Sequence, residues 1–230
     1  MAKIKKTAAE LLAELHNDST YKLMAEKKQE ERKATQELLA KDEQIITNKL
    51  KDIGININSI YDLVNSQKPY TNAIPVLIEL LEKGQLKQNQ TIEGVIRALA
   101  VEDAKGIANK SLLELYFNSF EQNPPYRWAI GNTMEVIMTD DDIEEIIKIV
   151  STPENGISRQ MFVSALGKIK SEKSEQVLIS LLEDEQVRIH AIDALGKMKS
   201  YRAKLKISEI ANSSKGSLKK EAIKALKKIG

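Results

Sequence analysis

The sequence predicts an all-α chain built from stacked pairs of helices. Three observations carry that expectation. From Asn72 onward, apolar residues recur at helical rather than alternating spacing. Within the same stretch one short phrase returns at a nearly constant period. Ahead of it, residues 8–53 contain neither Pro nor Gly. At 230 residues, 42% apolar and 30% charged, the chain is long enough for a real core and is neither disordered nor membrane-spanning by composition.

The first third reads as a helical arm. Residues 26–33, Glu-Lys-Lys-Gln-Glu-Glu-Arg-Lys, are charged on every side, as in a helix that crosses solvent. Leu39, Ile46, Leu50 and Ile53 then form an apolar stripe, followed by Ile55, Ile57, Ile60, Leu63 and Val64. The expected division is an arm over 1–70 and a repeat unit over 71–230. The C-terminal part of the long helix is expected to dock on the first repeat. A cap over the end of the stack is favoured over a dimerisation arm, since the stripe is too short for a coiled coil of its own.

The repeated phrase is clearest in four copies: Tyr126-Arg-Trp-Ala-Ile-Gly-Asn-Thr-Met134, Ser158-Arg-Gln-Met-Phe-Val-Ser-Ala-Leu166, Val187-Arg-Ile-His-Ala-Ile-Asp-Ala-Leu195 and Leu218-Lys-Lys-Glu-Ala-Ile-Lys-Ala-Leu226. Thr91-Ile-Glu-Gly-Val-Ile-Arg-Ala-Leu99 is a weaker fifth. Each follows another apolar helical stretch, beginning near Ile74, Leu112, Ile143, Val177 and Leu205. Pro75 suits a helix start, Asp140–Asp142 favour the next one, and Gly84 and Gly106 read as helix stops. The unit is helix, turn, helix, in about five pairs that bury one another's apolar faces.

This pattern resembles the HEAT-repeat family, and more narrowly the bacterial HEAT-like repeats associated with phycobilisome lyases. The resemblance covers about 72–230. It rests on Arg127, Arg159 and Arg188 at the start of the second helix, and on Ala-Leu-Gly-Lys-Ile/Met at 165–169 and 194–198. It implies a right-handed α-α superhelix, a solenoid. Function does not follow, because such repeats serve scaffolds, inhibitors, lyases and nucleic-acid enzymes alike.

Candidate binding residues come from exposure expected on the second helices. Tyr116, Phe117, Phe120, Tyr126 and Trp128 gather half of the chain's ten aromatics into thirteen residues. Phe117 and Phe120 are expected to fill core; Tyr126 and Trp128 are candidates for partner contact, with Gln160 level with Trp128. Arg97, Asn132, Ser164, Asp193 and Lys224 align as a column one turn further on, on the expected concave face. The recurrent arginines are assigned to structure, tying helix ends to loops, with Asp184 or Glu185 as a partner.

Charge is uneven. Residues 69–142 are net −5 and 143–198 net −2, whereas 199–230 are net +8. Lys219, Lys220, Lys224, Lys227 and Lys228 are candidates for contact with phosphate or an acidic partner, but the polar outer face that a last repeat needs is the favoured explanation.

No cofactor, metal site or catalytic group is expected. Cys is absent, and His16 and His190 are the only histidines. Neither G-x-S-x-G, nor a P-loop, nor H-E-x-x-H occurs, and Asp140–Asp142 lack the rest of a calcium loop. Glu10 and Glu14 interrupt what would be the apolar part of a signal peptide, and no window approaches a membrane helix, so a cytoplasmic protein is expected. The favoured function is a non-enzymatic scaffold, inhibitor or adaptor that binds a protein on the concave face. One alternative is a nucleic-acid protein similar to the DNA-alkylation-repeat glycosylases, opposed by the acidic middle. A bilin-lyase-like enzyme is the other, carried by the family resemblance alone.

Overall fold

The computed structural model describes residues 7–8, 18–120, 122 and 124–230; His16 lies outside them. Among the described residues all regular structure is helical, and no helix is long and apolar enough to cross a membrane. The architecture is an all-α helical-repeat solenoid preceded by a long helix.

That helix, α1 (Ser19–Asp52), starts where the Asp18 carboxylate accepts the Thr20 and Tyr21 amides. Up to Leu38 every residue is exposed. Beyond it the helix docks. Ile46 and Leu50 are fully buried, each contributing about 1.5–3 kcal/mol by leaving water. Ile53, expected in the same stripe, is instead exposed at the helix end, and Leu39 is only half-buried. Two neighbouring carboxylates complete the joint. Asp42 Oδ2 accepts from the Lys87 and Gln88 amides at 2.9 and 2.8 Å and from Thr91 Oγ1 at 2.6 Å. It therefore caps α4 (Asn89–Ala98) from 45 residues away. Glu43 accepts from the Ile60 amide and Ser59 Oγ, both at 2.9 Å, at the start of the short α2 (Tyr61–Val64).

Five helix pairs follow. The first helices are α3 (Ile74–Glu82), α5 (Asn109–Asn118), α7 (Ile143–Val150), α9 (Glu172–Ser180) and α11 (Lys204–Ser213). The second helices are α4, α6 (Tyr126–Ile137), α8 (Gln160–Leu166), α10 (Arg188–Met198) and α12 (Gly216–Ile229). Pro75 stands in the first turn of α3, and Gly84, at φ 56°, turns the chain after it. Gly106 is not a helix stop: α4 ends at Ala98, and Gly106 sits in the connector, its amide donating to Asn109 Oδ1 at 2.9 Å. Asp140–Asp142 form a 3-10 turn in which Thr139 and Asp142 cap each other reciprocally.

Second helices stack on second helices throughout, whereas first helices touch sparsely. The spacing is set by small residues. A Cβ on Gly167 would stand 2.7 Å from Ala194 Cβ, and one on Gly196 would stand 2.8 Å from Ala225 Cβ. Units that are narrow on one side and wide on the other pile into an arc, so the second helices line its inner side.

The aromatic cluster divides differently from expectation. Tyr116 is the fully buried member, set edge-on to Phe162 at 5.0 Å. Phe117 and Phe120, expected as core, are 42% and 44% exposed. In α5 the buried stripe runs through Leu112, Leu113 and Tyr116, which leaves Phe117 at its edge.

Gly196→Ala should destabilise by about 1–3 kcal/mol through overpacking against the Ala225 backbone, read as a lower urea midpoint. Asp42→Ala should cost about 1–3 kcal/mol by orphaning buried amides. Hydrogen exchange should then quicken at Lys87 and Gln88.

Candidate functional site

The inner face of the arc is a set of exposed stripes, one per second helix. On α6 the stripe is the exposed Trp128 and Val136 with the half-buried Asn132 and Glu135, four residues within about one third of the helix circumference. Trp128 is 39% exposed. The Asn132 side chain donates to the Trp128 carbonyl at 3.2 Å, which satisfies it within its own helix.

Two of the expected contact residues leave this face. Tyr126 is only 6% exposed, because it begins the stripe Tyr126, Ile130, Met134, Ile137 that α6 turns into the core. Ser164 is also 6% exposed, lying in the seven-residue helix α8 between two closely approaching neighbours. Gln160 is half-buried and donates to the Gln186 carbonyl at 3.0 Å, so its amide is engaged with the next loop. Arg97 is held by Glu93, with Nε and Nη2 at 2.9 and 2.6 Å from the same oxygen.

Asp193 sits in a denser electrostatic setting. Lys197 Nζ and Lys228 Nζ lie at 2.8 and 3.1 Å from its carboxylate, and Lys224 Nζ at 3.8 Å. Burial pushes the Asp193 carboxyl up, but hydrogen bonds and charge from Lys197 and Lys228 outweigh it and hold the pKa at about 2. Lys168 reaches across to Glu135, touching both its carbonyl and its carboxylate. His190 lies between these groups. Burial holds its imidazole below the ordinary range against the pull of Asp193 and Glu135, and its Nδ1 has no hydrogen-bond partner among the described residues.

At the last helix, Lys219, Lys220 and Lys227 are exposed, while Lys224 and Lys228 are already engaged with Glu221 and Asp193. Ile223 is exposed on this helix, and Ala222 and Ala225 carry its packing.

The edge formed by the loops between paired helices is structural. Arg159 is buried and pairs with Asp184 at 2.7 Å, while also donating to the carbonyls of Val150 and Gly156. Arg188 donates to the carbonyls of Leu182 and Glu183. Arg127 donates to Asn155 Oδ1 at 2.7 Å and lies 4.0 Å over the Tyr116 ring. Asn155 thus occupies in one loop the place Asp184 holds in the next. Each arginine closes off the end of a first helix or grips the following loop, as its recurrence implied.

Residues 143–227 match the family model described as HEAT repeats. That stretch carries HEAT repeats. The matched stretch spans α7 to most of α12, and α3–α6 continue the same pairing ahead of it. No curated protein matches the chain.

Among the described residues no group of three or more His, Cys, Asp or Glu is placed to hold a metal ion. An open depression of about 580 Å³ lies away from the inner face of the solenoid, where Ile55, Ile57 and Leu63 meet Pro69 and Tyr70. The Tyr70 hydroxyl there is committed to the Ala98 carbonyl at 2.8 Å. The inner face offers an exposed indole, an apolar neighbour and clustered charges.

Asp193 should remain ionised down to about pH 2, visible in its carboxyl ¹³C titration. Its folded pKa lies below that of an unfolded aspartate. The stabilisation is therefore fully present above about pH 4 and is lost as pH falls towards 2. Asp193→Asn should flatten that part of the stability–pH curve.

Proposed function

We propose that the chain is a binding scaffold rather than an enzyme, and that it holds a protein partner along the inner, second-helix face of its HEAT repeats. In this reading residues 1–70 form an arm that caps one end and 71–230 form the binding solenoid. Trp128 carries the reading. A large aromatic left exposed in the middle of a helical stack costs solubility unless something covers it, and indoles recur at the centres of binding surfaces. Val136 adds exposed apolar surface on the same stripe, and the stacked stripes make the face extended rather than a single pocket. Arg97, Asn132 and Asp193 flank Trp128 along that face; Tyr126 and Ser164 take no part because they are buried.

The test is site-specific photo-crosslinking in cells that make the protein. A benzophenone amino acid at Asn132 should yield protein adducts that one at Glu114, exposed on the first helix α5, does not. Adding Trp128→Ala should reduce the Asn132 adducts at least several-fold. Equal adducts from both positions, or adducts to nucleic acid, would overturn the reading.

A further inference from the structure

The inner face changes character along its length. On α4 and α6 its charges are the Glu93–Arg97 pair and Glu135, set around Trp128 and Val136. From the end of α8 onward cations prevail. Lys168 reaches back to Glu135, and Lys197, Lys224 and Lys228 converge from two helices on one carboxylate, that of Asp193. Glu221 is the other acidic group there, shared with Lys224. Two carboxylates against four lysines leave this half of the face net positive, with Lys220 and Lys227 exposed on the same last helix.

A surface ion pair holds its partners only weakly, so these ammonium groups stay available to an incoming carboxylate. Gathering like charges around one aspartate carries a repulsive cost, which an anionic visitor would relieve.

Resting on the reading of this face as the partner surface, we infer that its occupant is a protein segment of two parts: an apolar side chain laid on Trp128 and Val136, and an acidic stretch lying across α8, α10 and α12. Complementary charge of this kind fixes register and direction, because the segment reversed would set its carboxylates against Glu93 and Glu135. Nucleic acid fits less well. Its evenly spaced phosphates would meet those same carboxylates over half the face, and base stacking would find one indole rather than a series of rings.

Trp128 is the only tryptophan of the chain, so its emission reports directly on the face. Three probes suffice: a 16-residue peptide of glutamates with two leucines near one end, the same peptide with lysine for every glutamate, and a 16-nucleotide oligothymidylate. The acidic peptide should shift Trp128 emission to shorter wavelength and bind roughly tenfold or more tighter than the lysine peptide at low salt. That advantage should shrink at high salt, where the screening length falls to about 3–5 Å. Lys224→Gln with Lys228→Gln should weaken the acidic peptide several-fold. Lys168→Gln, which leaves the Asp193 cluster intact, should weaken it in the same direction, so the result does not hang on one variant's folding.

If the lysine peptide shifts Trp128 and binds as tightly or more tightly, the charge assignment is wrong while the face survives as a docking surface. If the acidic peptide leaves Trp128 unchanged, whether by binding elsewhere or not at all, the two-part occupant is wrong, and crosslinking from Asn132 then decides separately whether the face is used. Tighter binding of oligothymidylate with a Trp128 shift would overturn both.

Discussion

At Gly167 and Gly196 a second helix carries no side chain because the next one leaves no room for it. Ala194 and Ala225 come within what would be 2.7–2.8 Å of a Cβ, and at Gly131 the neighbours Met161 and Phe162 would stand at 3.1–3.2 Å. This seam of small residues sets the pitch of the stack. It draws the second helices together while the bulkier first helices spread, which gives the arc an inner side. The stripes that carry Trp128, Asp193 and the lysines lie where they do because the seam occupies the neighbouring surface of the same helices. A single added methyl at the seam therefore acts on the shape of the face as well as on stability.

The loop edge solves a different problem. Where a first helix ends, its last carbonyls have no partner within the helix, and the repeat buries them against its neighbour. Arg159 and Arg188 fill that need with a planar fork of donors, and Arg159 reaches on to Asp184 in the following loop. Arg127 keeps the same station with an amide, Asn155, as acceptor and the Tyr116 ring beneath it. A buried guanidinium is costly unless it is paired, and the partners of Arg127 and Arg159 in the following loops tie adjacent units together, whereas Arg188 closes off its own repeat. Coupling of that kind passes only between neighbours, which is how a solenoid holds together without a central core.

Much of this was legible in the sequence. The repeated phrase gave the pairing of helices, and the recurrent arginine announced its structural role. The Ile46–Leu50 stripe marked where the arm docks. The inner face was harder to read. Tyr126 and Trp128 sit two residues apart and look alike as candidates, yet the i, i+4 continuation from Tyr126 through Ile130 and Met134 takes it into the core; that spacing was available and outweighs residue type. The same reasoning through Leu112 and Tyr116 leaves Phe117 outside. Ser164 could not be placed by alignment with Asn132 and Asp193, because its burial depends on how closely two other helices approach a short one. Asp42 offered no local signal at all. Its partners lie some 45 residues on and exist only once the arm is seated. Lys168 and Lys197 belong in the sequence only to the repeated Ala-Leu-Gly-Lys phrase, and their partners Glu135 and Asp193 are defined by the fold.

The outer half of α1 buries nothing. From Ser19 to Leu38 twenty residues stand in solvent, a rod that rises at about 1.5 Å per residue to some 30 Å. Drag depends on reach more than on bulk. A chain of 25.8 kDa so extended should diffuse and sediment more slowly than a sphere of its mass, and its radius of gyration should exceed the roughly 17–18 Å of a compact chain of this length.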